Sequence, residues 1–300
     1  MTNAANVVEE VLQRDRLVVI AILSVVIVGC WTYLLTGAGM GMYPHKMTTL
    51  FSSKMDARKA MASVARQPTS PAQTRQTTTS LSMGDMMMAP ASWGLKYAAL
   101  MFAMWWLMMV AMMLPSAGPM VLLHAAVSRK SASTDAPSAS NPYRSTGAFL
   151  SGYAAAWGIF SAVAVLAQWG LEQAGLLSSM MTTTSRLLGA GLLIIAGLWQ
   201  LTPLKAACLR HCRSPIGFLS THWRPGISGA FRMGLEHGAF CLGCCWFLMM
   251  LLFFGGVMNL IWIVGLAAFV LIEKLVPAGV LFGRISGLLF LVWGVWLGVT

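Results

Sequence analysis

The chain has 300 residues, of which 57% are hydrophobic and only 10% charged, with a formal net charge of +11. A soluble domain carries about 25% charged residues, so an ordinary cytosolic enzyme is excluded; six Cys over this length are too sparse for a secreted disulfide scaffold. What remains is an all-α polytopic membrane protein, whose partner is the lipid bilayer and whose surplus Lys and Arg point to cytoplasmic loops and anionic headgroups rather than nucleic acid.

A helix needs about 20 apolar residues to cross the hydrocarbon. Residues 17–36 carry no charge and form the first predicted span. A long apolar core with no small-x-small site after it reads as an anchor rather than a cleaved signal peptide. Residues 97–123, 149–171 and 187–204 are three further uncharged stretches. Pro115 and Pro119 lie inside the first of these and are expected to break its backbone. Residues 238–272 are uncharged over a length too great for one crossing. A break at Gly255, Gly256 and Asn259 divides that run into two helices. Residues 276–299, interrupted by Arg284, give the last span. The count is about seven spans, or six if the long run is not a full hairpin.

Three regions follow. Residues 1–36 are an N-terminal segment with the first span, 37–95 a long external loop, and 96–300 a helical membrane domain. Within the loop, residues 45–67 carry an apolar face suited to the membrane surface. Residues 68–82 are rich in Pro, Ser, Thr and Gln and are expected to be disordered, and 131–142 form a second flexible linker. Orientation follows from the basic residues. With the N-terminus cytoplasmic, Arg14, Arg16, Arg129, Lys130, Arg144, Lys205, Arg210, Arg213, Arg224, Arg232, Lys274 and Arg284 lie inside, which is 12 of the 20 Lys and Arg. An inner-membrane protein with a cytoplasmic N-terminus is therefore expected.

Five of the six Cys and three of the five His fall between Cys208 and Cys245. Cys208 and Cys212 are four apart and share a helical face, with His211 beside them. His237, Cys241 and Cys245 repeat every four residues, and Cys244 follows Cys241 by three. Thiolate and imidazole at this spacing suit soft or borderline metals, copper as Cu(I) first and zinc second. Cys244 and Cys245 are left as alternatives for the ligand position. A single Cys in a membrane helix is ordinarily packing, but two sets at ligand spacing point to metal or thiol chemistry.

Methionine forms a second group: 23 in the chain, with Met104, Met108 and Met112 repeating every four residues. Met109 and Met113 form a neighbouring pair. Thioether sulfur enters a membrane without the desolvation cost of a charge and selects Cu(I). It is equally a flexible core filler. The external loop adds Met40, Met42, His45 and Met47, then Met83, Met86, Met87 and Met88. Glu273 is expected to pair with Lys274 or Arg284 as structural glue, and Gly279, Gly283 and Gly287 to admit a close helix neighbour. His124 stands alone and reads as packed or interfacial. No phosphate loop, dinucleotide fingerprint or serine-protease order is present.

The blocks MWWLMMVAMMLPSAGPM, LKAACLRHCRSP and EHGAFCLGCCWFLMMLLFFGGVMNLIW, with the later Glu-Lys pair, occur in one order over residues 97–299. In this the chain resembles a bacterial family of predicted metal-binding integral membrane proteins, some linked to copper delivery to tyrosinase-type enzymes. The resemblance implies a non-enzymatic copper-handling protein with a cuproenzyme client. It implies metal binding at Cys208, Cys212, His237, Cys241, Cys244 and Cys245, and an outer layer or transfer relay along residues 104–113. Two other classes stay open on the residues themselves. Cys241-x-x-Cys244 with Cys208 and Cys212 fits a membrane thiol-disulfide oxidoreductase, and the same ligands fit a structural zinc site.

Overall fold

The computed structural model describes residues 2–37, 93–134, 141–177 and 181–300. The apolar face at 45–67, the stretch at 68–82, the loop methionines and residues 135–140 of the 131–142 linker lie outside the described residues, while 131–134, expected to be flexible, are helical. Among the described residues the order is α1 (Thr2–Leu35), α2 (Leu95–Thr134), α3 (Pro142–Gln173), α4 (Arg186–Leu201), α5 (Pro203–Arg213), α6 (Pro215–His222), α7 (Gly226–Met250), α8 (Leu252–Gly255), α9 (Leu260–Leu275) and α10 (Gly279–Val299). No named strand occurs among them.

Local chemistry sets the ends. The side chains of Asn141, Ser185, Thr202 and Asn259 accept bonds from the backbone N–H of Tyr143, Leu188, Lys205 and Ile261, each satisfying one orphan donor of a first turn. Proline occupies the first helical position of α3, α5 and α6, where its missing N–H costs nothing. Thr202 precedes Pro203 and is extended, which ends α4 and turns the chain through 67° into α5. At Gly256 φ is +96°, a conformation other residues rarely adopt, so the long apolar run breaks between α8 and α9 as expected.

Two expectations need correction. Pro115 and Pro119 do not break α2, which runs through both from Leu95 to Thr134. The helix is packed against α1, α3 and α9 along its length, and such packing lets a membrane helix tolerate the lost backbone bonds. Of the two expected counts, seven and six, only the lower is met: among the described residues five helical stretches are long and apolar enough to cross a membrane, or six if the bent α4–α5 pair is one span. The helix expected as another crossing, α9, has 16 residues. At 1.5 Å per residue it reaches about 24 Å, short of a hydrocarbon core of about 30 Å.

The core sits where α3 and α7 cross. A side chain on Gly234 would strike the Phe149 carbonyl, so the two backbones touch and bring Tyr153 onto the face of α7 that bears the cysteines. A second close crossing joins α4 to α10, where a Cβ on Gly287 would lie 3.0 Å from the Gly197 carbonyl oxygen. Of the expected glycine stripe, only Gly287 meets that neighbour; Gly279 and Gly283 close on Glu273 of α9 instead. Val25, Leu166, Leu289 and Val292 point outward as an apolar surface suited to lipid.

Candidate metal centre

His237, Cys241, Cys244 and Cys245 lie along one side of α7 and are all buried. Cys244 and Cys245 each place Sγ 3.0 Å from the Cys241 carbonyl oxygen as donors. Both sulfurs turn inward, Cys244 toward Cys212 and Cys245 toward Met113. The bend after α4 lays α5 alongside α7. Cys212 Sγ then comes 4.0 Å from Cys244 Sγ, whose own sulfur donates to the Cys241 carbonyl oxygen. Cys208, one turn earlier, is half-buried and rests on Gly243, where a Cβ would lie 2.7 Å from its sulfur.

Three further helices complete the cluster. From α2, Met113 Sδ lies 3.9 Å from Cys245 Sγ. From α3, the Tyr153 hydroxyl lies 3.1 Å from Cys241 Sγ and 3.3 Å from the Met113 carbonyl oxygen. From α9, Lys274 Nζ donates to Cys241 Sγ at 2.9 Å and to Ser116 Oγ at 3.1 Å. Five helices thus contribute side chains to one cluster. All six cysteines are free.

The end of α9 is fixed by α5. Arg213 donates to the carbonyl oxygens of Val276 and Pro277 at 2.7 and 2.9 Å, and Lys205 forms a buried ion pair with Glu273. The expected pairing of Glu273 with Lys274 or Arg284 is therefore wrong. Neighbouring helical residues point about 100° apart and do not face each other, so Glu273 turns to α5 while Lys274 turns to the thiols. His211 also stays out of the cluster. Its ring stacks on Phe240 at 4.4 Å and Nδ1 sits 3.0 Å from the Ala207 carbonyl oxygen.

His237 stands one turn before Cys241, ringed by Phe149, Tyr153 and Phe218. Its Nδ1 is buried with no hydrogen-bond partner. Buried polar atoms are nearly always satisfied, so such an atom calls for a ligand or a role. Met104, Met108 and Met112 are all buried inside the bundle, but so are Met101, Met109 and Met113. Burial alone does not separate the four-residue stripe from core filler, and Met113, outside it, is the methionine beside a cysteine. His124 is fully buried and stacked on Phe149 at 4.7 Å, and both its ring nitrogens likewise have no hydrogen-bond partner.

Sequence reasoning named thiols that lie close together in the fold but missed Lys274 and Tyr153 as their neighbours. The signal for Lys274 was available: an ionisable residue at membrane depth is by default a functional one. Tyr153 had no such signal.

Thiol and thioether sulfur in a dry, apolar setting is the donor chemistry for a soft ion such as copper. The cluster is close but open: among the described residues no three His, Cys, Asp or Glu side chains already form a metal-holding group. No curated protein and no solved structure matches the chain. A family model described as PpoB2, copper chaperone, matches residues 102–297, which hold every cysteine of the cluster, Met113, Tyr153 and Lys274. The chain belongs to the PpoB2 copper chaperone family.

Proposed function

We propose that the protein carries Cu(I) on Cys241 and Cys212, and passes it by ligand exchange to a cuproenzyme client without catalysing a reaction of its own. The observation that carries this reading is the meeting of two cysteine sets about thirty residues apart in sequence, with Cys212 Sγ 4.0 Å from Cys244 Sγ and Cys244 Sγ 3.0 Å from the Cys241 carbonyl oxygen. Two sulfurs suffice for Cu(I), and Cys244, Cys245 and Met113 stand next to them as incoming ligands. Stepwise exchange needs such neighbours, because each must bind before another leaves.

Half-buried Cys208 serves as the outward thiol of the transfer path, and His237 Nδ1 is the one nitrogen donor free to join from α7. Met104, Met108 and Met112 relay the ion along α2 toward Met113. The protein sits in the bacterial inner membrane with its N-terminus cytoplasmic, which puts α5 and the thiols near the reducing face. Elemental analysis of purified protein tests the reading. Stoichiometric copper in the wild type, lost in Cys212→Ser and in Cys241→Ser, supports it. Zinc in place of copper, or no metal with a reversible Cys212–Cys244 disulfide, overturns it in favour of a structural zinc site or a thiol oxidoreductase.

A further inference from the structure

The stripe of donors on α7 begins before its cysteines. Met233, His237, Cys241 and Cys245 repeat every four residues and are all buried, so they share one face with a step of about 6 Å along the axis. Met233 stands near the start of α7. There α6, with Trp223 at its C-terminal end, packs on α2. Met233 Sδ accepts from the backbone N–H of Arg224 at 3.3 Å, which sets the sulfur against the residue that follows Trp223.

His124 of α2 reaches the same place. Its ring lies 5.8 Å from that of Trp223 and 4.7 Å from that of Phe149, whose carbonyl touches Gly234, the neighbour of Met233. His124 is fully buried, and neither ring nitrogen has a hydrogen-bond partner. Whichever nitrogen carries the proton, the other keeps a lone pair with nothing to bind. Folded proteins rarely leave such a group unused, and a phenyl ring would serve packing without that cost.

We propose that His124 and Met233, beside the Trp223 ring, form a second Cu(I) site, a staging point between the protein surface and the thiols. The proposal rests on the copper-carrying reading above and adds a place where the ion is held before it reaches Cys241 or after it leaves. Imidazole nitrogen suits copper, and thioether sulfur selects Cu(I) among its oxidation states. An indole ring adds cation–π attraction for a monovalent ion. None of the three groups carries a compensating negative charge, so the ion keeps its unit charge in an apolar setting, which disfavours it. The staging site therefore binds copper more weakly than the thiols and releases it readily. His237 lies between Met233 and Cys241 on the stripe, and its Nδ1 has no partner either. Passage is ligand exchange: bonds to His124 and Met233 break as bonds to His237 and then Cys241 form. Copper stays Cu(I), and a thiol that becomes a ligand gives its proton to solvent.

The test is a titration of the detergent-purified, fully reduced chain with Cu(I) against a chromophoric chelator, with X-ray absorption at the copper edge at one and two equivalents. Wild type is expected to take up a second, weaker equivalent, with nitrogen scattering rising as it binds. His124→Phe keeps an aromatic ring against Phe149, and Met233→Leu keeps volume. Each should lose the second equivalent and keep the first, whereas Cys241→Ser should lose the first and keep the second. A wild type that binds a single equivalent, or a second equivalent that survives in either variant, overturns the staging site and leaves the copper-carrying reading intact. Loss of both equivalents in Cys241→Ser also overturns it, by making the two sites one. If His124→Phe does not fold, Met233→Leu decides. A first equivalent that survives in Cys241→Ser counts against the thiol reading alone, and a wild type that binds no Cu(I) takes down both.

Discussion

Glu273 and Lys274 are adjacent in sequence and both buried, yet they live in different chemistry. Glu273 faces Lys205 in a carboxylate–ammonium pair at the join of α5 and α9. Lys274, one residue on, faces the Cys241 sulfur and a serine hydroxyl. The first pair is saturated by a hard partner and has no reason to exchange. The second offers a single positive charge to soft groups that a metal can also claim. Where charges lie inside a membrane bundle, the kind of partner separates a structural site from a working one better than burial does.

That contrast can be broken at several points. The largest effect is expected at the thiol. Cys241→Ser should abolish copper retention in elemental analysis while moving the thermal unfolding midpoint little, because the Tyr153 hydroxyl and Lys274 Nζ stand beside the position to satisfy the buried hydroxyl. A wild-type copper content in that variant would remove Cys241 from the site. On the structural side the order reverses. Lys205→Met leaves Glu273 buried and unpaired, which costs about 3–5 kcal/mol, read as a lowered unfolding midpoint in detergent. Copper per folded molecule should stay at the wild-type level, and a loss of copper without a loss of stability would erase the distinction between the two lysines.

A smaller effect is expected at the rim. Gly243→Ala places a methyl 2.7 Å from Cys208 Sγ, so the sulfur must move. We expect slower copper transfer with unchanged stoichiometry, measured by stopped-flow exchange to a chelating acceptor. Unchanged kinetics would make Cys208 a packing residue. The smallest effect is at the methionines. Met108→Leu keeps volume and should cost less than about 1.5 kcal/mol. Any drop in client metallation from Met108→Leu, absent in Met101→Leu, would give the stripe a role beyond filling. Equal behaviour of the two would leave Met113, beside Cys245, as the thioether with a claim to the copper path among the described residues of α2.

The architecture was largely legible in the sequence, for a reason specific to membranes. Backbone polar groups have no water to bind at depth, so long uncharged runs must be helices. The break at Gly256 and the cap at Asn259 could be read the same way, from residue types whose local chemistry leaves few choices. What misled was length and register: α9 is too short for a full crossing, and the prolines of α2 are absorbed by packing that no local rule contains.

At the site, spacing alone put His237, Cys241, Cys244 and Cys245 on one helix, because i, i+3 and i+4 neighbours share a face. It put Cys208 and Cys212 on another for the same reason. Whether the two helices meet, which sulfur meets which, and that both Cys244 and Cys245 turn inward were decided only by tertiary structure. The 67° bend after Leu201 and the grip of Lys205 and Arg213 on the end of α9 set that geometry. Periodicity describes one helix at a time. Lys274 comes from a helix whose sequence carries no cysteine, and only the packing of α9 against α2 and α5 brings it to the sulfur.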